Sequence, residues 1–330
     1  MTDTHDARSP GPGPHFVLGT VQLGLPYGIA NRTGQPDPAE AGAILATAFA
    51  GGVRWLDTAR AYGDSEARIA TALRAWRGDP VLVATKLDPL AALDVAAPAE
   101  AAVAAAEESV ARSCTTLGLA RIDSLLLHRA WHRTGWGGAV WAALRRLRDA
   151  GRIARLGVSV ASPEELDAAL DDADVAHVQL PFNLLDWRWA TSGSIARLRA
   201  ARPRVCVHVR SVLLQGLLAD RPGTTWPTVA GGEPPARVLD ILRDLARNTG
   251  HANVTALAIA YARAQDWIDG IVMGVETLDQ LQANLVGFQS SALGAARADE
   301  LARAMPSVPE ELLDPARWPV RRGTVEAEKT

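Results

Sequence analysis

Lysine is almost missing from this chain of 330 residues: of its 34 lysines and arginines, only Lys86 and Lys329 are lysine. Cysteine is as scarce, and Cys114 and Cys206 make neither a disulfide framework nor a metal-ligand spacing. No apolar run approaches the roughly 20 residues that cross a bilayer. The polar start, Met1 to Arg8, lacks the apolar core of a signal peptide. A formal net charge of −3 leaves no electrostatic footprint for nucleic acid. No candidate strand is followed by a G-x-G-x-x-G or Walker A turn, which removes two common phosphate-cradling loops. The balance points to a cytoplasmic protein with free thiols.

What is present is alternation. Short apolar runs at 16–20, 53–57, 81–86, 123–128, 155–159, 177–182, 205–210 and 271–274 read as strands, with Ala-rich helical stretches between them. Several helices have legible ends. Asp37-Pro38 opens one and Gly51-Gly52 closes it, and Ser162-Pro163-Glu164-Glu165 reads as a capping box. Further helices over 142–150 and 238–249 stop at Gly151 and Gly250. Eight strands alternating with helices predict an α/β fold, a single-domain (β/α)8 TIM barrel, in preference to a doubly wound sheet with a second domain. Residues 1–14 read as a flexible leader, 15–305 as the barrel, and 306–330 as a tail packing on or beside it.

In such a barrel, chemistry sits at the C-terminal ends of the strands. The second run ends in Asp57, the third in Lys86 and the fourth in His128. In a chain this poor in lysine, a bare positive charge would have been arginine; an ammonium is compact and shifts its pKa when buried. Tyr62 follows Asp57 by five residues, close enough to fold back over the barrel mouth. A neighbouring ammonium favours phenolate, so the expectation is a Tyr62 pKa lowered by two or three units from about 10, roughly 3–4 kcal/mol. Taken singly, Asp57 and Lys86 are also a structural ion pair, His128 a core histidine and Tyr62 a loop aromatic. Together they make a proton-donating pocket.

The string D-T-A-R-A-Y-G-D-S-E within 52–73, with V-L-V-A-T-K and I-D-S-L-L-L-H, resembles the aldo-keto reductase family over about residues 16 to 288. The resemblance implies an NAD(P)H-dependent carbonyl reductase with Asp57, Tyr62, Lys86 and His128 as its catalytic tetrad and no metal. Hydride comes from nicotinamide to the carbonyl carbon of an aldehyde, ketone or sugar, and Tyr62 protonates the oxygen. It further implies that Ser159 and Gln179 contact the nicotinamide amide, with Asn183 in the same stretch, and that Val160 stands where an Asn is usual. Arg210 takes the place of a stacking aromatic. Ser211, Leu213 and Gln215 fall where the pyrophosphate lies, and Gly274, Gln280 and Asn284 on the adenosine side. Thr277 with Gln280 also reads as a plain capping box. The basic residues many NADP-dependent members carry at positions 274 and 280 are missing and Glu276 adds a negative charge; NADP(H) is favoured as cofactor and NAD(H) is the alternative.

For the substrate, Trp131 and Trp136 on the loop after His128, Trp226 in loop 220–235, and Tyr27 with Arg32 after the first strand are candidate walls. Trp136 reads equally well as the start of the next helix, packed inward. Other activities fit the same residues less well: a Schiff-base barrel lyase using Lys86, or a non-catalytic nucleotide-sensing barrel. No nucleic-acid or membrane partner is expected, and the oligomeric state is not legible.

Overall fold

In the computed structural model, residues 13–290 and 293–318 are described. Eight strands, β1 (His15–Gly19), β2 (Trp55–Asp57), β3 (Leu82–Lys86), β4 (Ser124–Leu127), β5 (Leu156–Ser159), β6 (His177–Pro181), β7 (Cys206–Arg210) and β8 (Gly270–Gly274), pair in chain order and close, β8 against β1. Every pairing is parallel. The protein is thus a (β/α)8 barrel, and each expected strand is present within two residues. The leader at 1–14 lies almost wholly outside the described residues, as does the tail beyond 318.

The boundaries move for local reasons. Gly51 ends the helix Pro38–Ala50, whose Asp37 carboxylate accepts from the N–H groups of Ala39 and Glu40. The chain then turns through Gly52 at φ +89°, and Val53 N–H bonds back to Ala48. Val53 therefore belongs to the helix's closing turn and not to β2. Asp123 drops out of β4 as a hydrogen-bonding side chain: its carboxylate accepts the Val83 N–H at 2.9 Å. His128 is the first residue past β4. At Ser162 the expected cap forms with the Glu165 N–H, while the Glu165 carboxylate reaches back to Ala161 at 2.7 Å.

Two apolar layers follow from strand alternation. Outward-facing Leu18, Leu56, Val83, Leu125, Val158, Val178, Val207 and Ile271 are buried against the helices. Inward-facing Val17, Trp55, Ala84 and Leu126 fill part of the lumen. Leu82 and Val272 pack against them, and His177 and His208 are fully buried beside Trp55. Among the described residues no helix is long and apolar enough to cross a membrane.

Candidate active site

At the C-terminal rim, Lys86 lies 1% and Asp57 4% exposed. The ammonium donates to both Asp57 carboxylate oxygens at 2.8 Å and to the Thr58 carbonyl at 3.2 Å. The same carboxylate accepts from the Gln179 side chain at 2.6 Å. Both charges are thereby partnered, as burial demands.

The loop carrying Tyr62 is built by the string that surrounds it. Ser65 Oγ bonds the Thr20 side chain and carbonyl and meets Thr58 Oγ1. Glu66, buried, accepts from Thr85 and Ser113 at 2.8 Å each and pairs with Arg60. A close backbone crossing fixes the rest: a Cβ on Gly24 would sit 1.8 Å from the Tyr62 carbonyl oxygen, and one on Gly63 would sit 2.4 Å from that of Gly24. The half-buried phenol ring so held lies with its centroid 5.3 Å from Lys86 Nζ and 6.0 Å from the His128 ring, edge to face.

Burial raises the Tyr62 pKa above its ordinary value; the Lys86 charge pulls it down, Asp57 pushes it up and Arg210 lowers it. The expected lowering is therefore not found. Desolvation prevails because the Asp57 carboxylate, gripped by Lys86, offsets much of the ammonium's field. At neutral pH the group is a phenol with a proton to give. His128 is pushed down to about 3, first by burial and then by Lys86, Arg210 and Arg129. It is a neutral imidazole, and its Nδ1 is buried without a partner among the described residues.

These four side chains open on one cavity of about 530 Å3, within the range of about 300–1,000 Å3 of small-molecule and cofactor sites. Ser159, Arg210, Ser211, Leu213, Gln215, Gly274, Gln280 and Tyr27 line it as well. Gln215 donates to the Tyr27 hydroxyl at 3.3 Å, joining the loops after β7 and β1. Ser211, Leu214 and Gln215 hold φ values of 62°, 44° and 52°. Non-glycine residues in that region are uncommon and gather at binding sites.

Other expected residues lie elsewhere. Gln179 is fully buried in the wall, in register with Ser159, its Oε1 unpartnered among the described residues. Asn183 shapes the turn after β6 by accepting the Leu185 N–H. Asn284 is 9% exposed on the helix Leu278–Gln289 and does not line the cavity. Trp131 is also off the cavity; it packs on His132 and Trp136 over the helix that follows. Trp136 stands in the turn before the helix Ala139–Asp149, on the core. Trp226 is buried in the core because the loop after β7 folds inward there. Arg32 binds the Pro222 carbonyl. Gln280 caps its helix, accepting the Glu276 N–H at 2.9 Å, while its own N–H bonds Thr277 Oγ1.

Sequence reasoning missed Gln22, Arg129 and Arg221, and the segment Asp314-Pro315-Ala316, all of which line the cavity. Arg129 had a signal, its place beside His128. Arg221 approaches Glu276 at 3.4 Å, a pairing between loops after different strands that leaves no mark in the chain.

A closed parallel (β/α)8 barrel with a phenol, an ammonium, a carboxylate and an imidazole gathered on one rim cavity is the class of protein that the fold and site define. The chain belongs to the aldo/keto reductase family, whose model matches residues 15–303, and is thereby an oxidoreductase. No curated protein matches it. Among solved structures it is similar to the holo form of aldo-keto reductase AKR11C1 from Bacillus halodurans, with 22% identity, a TM-score of 0.70, and 91% of this chain and 95% of that one covered. It is also similar to the thermostable aldo-keto reductase Tm1743, solved with the inhibitor epalrestat, with 20% identity, a TM-score of 0.65, and 90% and 97% covered.

The family implies a nicotinamide cofactor, and the residues fit one. Gln179 Oε1 and the Gln22 Oε1 that lies against Gly274 are buried acceptors without partners among the described residues, and the cavity runs from the tetrad to Gly274 and Gln280.

Proposed function

We propose that the protein reduces an aldehyde, ketone or sugar carbonyl to an alcohol with NADP(H), with NAD(H) as the alternative cofactor, in the cytoplasm. Ser159 and Gln179 would hold the nicotinamide amide, Arg210 would stack on the nicotinamide ring, Ser211, Leu213 and Gln215 would meet the pyrophosphate, and Gly274 and Gln280 the adenosine end. The bound cofactor supplies the hydride. Tyr62 supplies the proton: its O–H donates to the carbonyl oxygen as negative charge develops there. Lys86 stabilises the resulting phenolate, and Asp57 holds Lys86 in place. His128, neutral, donates a ring N–H to the same oxygen and orients it without competing as an acid. Solvent reprotonates Tyr62.

The observation that carries this reading is the junction of Tyr62, Lys86 and His128 on a single cavity wall. The geometry favours it over a Schiff-base lyase. Lys86 is tied to both oxygens of the Asp57 carboxylate and to the Thr58 carbonyl, an ion pair that a neutral, nucleophilic amine would forfeit.

A panel of aldehydes, ketones and sugars followed by loss of reduced nicotinamide absorbance tests the activity. Tyr62→Phe is expected to lower turnover roughly 10²–10⁴-fold while cofactor still quenches tryptophan emission; near-normal turnover would end the mechanism. Titrating that quenching with NADPH and NADH separately tests the cofactor. Arg221 pairs with Glu276, whose carboxylate also accepts from Gln280, so a cation and an acid meet near the adenosine end. Tighter NADPH binding, lost on Arg221→Ala, is the expected result; tighter NADH binding would reverse the preference.

A further inference from the structure

The lumen below the active-site rim is occupied in an unusual way. Such barrels are filled by layers of branched aliphatic side chains, but here β6 and β7 turn His177, Cys206 and His208 inward. His177 pairs in register with Cys206, and His208 with Gln179. His177 and His208 are fully buried, with ring centroids 4.3 Å apart at 81°. Among the described residues, His177 Nε2 and both nitrogens of His208 have no hydrogen-bond partner, nor has Nε2 of nearby His15. Buried ring nitrogens without partners are costly, and four in one lumen call for a ligand.

We propose that His177, Cys206 and His208 bind a single zinc-class cation inside the barrel, apart from the catalytic cavity. Their ligand atoms all lie within 4.8 Å of one another. A tetrahedral ion with bonds of about 2.0–2.3 Å needs donors roughly 3.5 Å apart, so closing the site takes about 1 Å of side-chain rotation. The donor set, two imidazoles and one sulfur without a carboxylate, selects zinc over magnesium or calcium. The second layer is in place: Ser124 Oγ lies 2.7 Å from His177 Nδ1, and in the tautomer that donates to it Nε2 is free to ligate. Both imidazoles are neutral in the fold, His177 pushed down to about 3 and His208 well below its ordinary value, chiefly by burial.

Access comes from the end opposite the active site, where Cys206 and His15 are partly exposed at the starts of β7 and β1. His15 is the nearest further donor, its ring 5.3 Å from that of His208. The surrounding charges are mixed. Arg155, 6.0 Å from the Trp55 ring, and Lys86 oppose a cation; Asp269 beside His15 and Cys206 favours one, though Arg202 pairs with it at 2.6 Å. Loss of the Cys206 proton to solvent on binding removes one unit of that opposition. Cys206 and His208 stand two apart on β7 and His177 lies on the neighbouring β6, so the site forms only when the two strands pair.

The test uses full-length protein freed of metal with a chelator and titrated with Co²⁺ as a coloured stand-in for zinc. One equivalent is expected to give tetrahedral d–d bands together with a sulfur-to-cobalt charge-transfer band, both discharged by one equivalent of Zn²⁺. Cys206→Ser should lose the charge-transfer band and Cys114→Ala should keep it. Should Cys206→Ser fail to fold, retention of the band in Cys114→Ala still assigns the sulfur. Absence of the band in the unmodified protein, its survival in folded Cys206→Ser, or its loss in folded Cys114→Ala overturns the site.

Discussion

At Lys86 the choice between ammonium and guanidinium is made by space. The side chain ends between the Asp57 carboxylate and the Thr58 carbonyl, 1% exposed. A planar guanidinium keeps the charge but is wider and presents its donors in a fixed fork. Lys86→Arg is therefore expected to displace Asp57 or Tyr62 by about 1 Å and lower turnover by about 100-fold or more. Steady-state kinetics on the best substrate of the panel would check this, and an active variant would show that charge alone suffices. The scarcity of lysine made Lys86 conspicuous, and the structure supplies the reason for the residue. Tyr62 is the contrary case. The ammonium's proximity was legible, but the balance between burial and the offsetting carboxylate is a property of the enclosed site.

At the scale of one element, the loop from Asp57 to the helix Ser65–Ala75 shows why its string of residues is so specific. Tyr62 is aimed by contacts on both sides: Ser65 and Glu66 anchor the helix start to β1, β3 and the helix Ala99–Leu117, and Gly24 lets the backbone pass. A methyl group on Gly24 would meet the Tyr62 carbonyl oxygen and the Ser65 N–H, 1.8 and 2.7 Å away. Neither is the movable end of a side chain. Gly24→Ala should therefore shift the loop and reduce turnover by about 100-fold, with the barrel intact by circular dichroism; unchanged kinetics would mean that the loop relaxes without moving the phenol. The crossing of Gly24 over Gly63 was not legible, because the partners lie on different loops. The strands and helix caps were, since alternation, Asp37-Pro38 and Thr277 act on their immediate neighbours.

For the whole molecule, the buried histidines set the response to acid. His132 and His177 are fully buried with pKa values pushed down to about 4 and about 3, and His208 lies well below its ordinary value. The unfolded chain takes up these protons as pH falls through about 6.5, while the folded protein resists until near its own lower values. Stability is thus full above about pH 6.5 and declines below it, by about 1.4 kcal/mol per pH unit for each such group. Urea midpoints of the metal-free protein measured at about pH 7, 6 and 5 should fall with increasing steepness; a flat series would mean that these rings accept protons without unfolding the barrel.

By itself the sequence determined the eightfold alternation and the four residues of the rim, because hydrophobic period, caps and a rare lysine act through neighbours in the chain. Tertiary structure alone decided that Trp131 and Trp226 leave the cavity, that Arg221 meets Glu276, and that histidines of three strands share one lumen. Each of these depends on how distant segments pack when the barrel closes, and no local period or spacing encodes that.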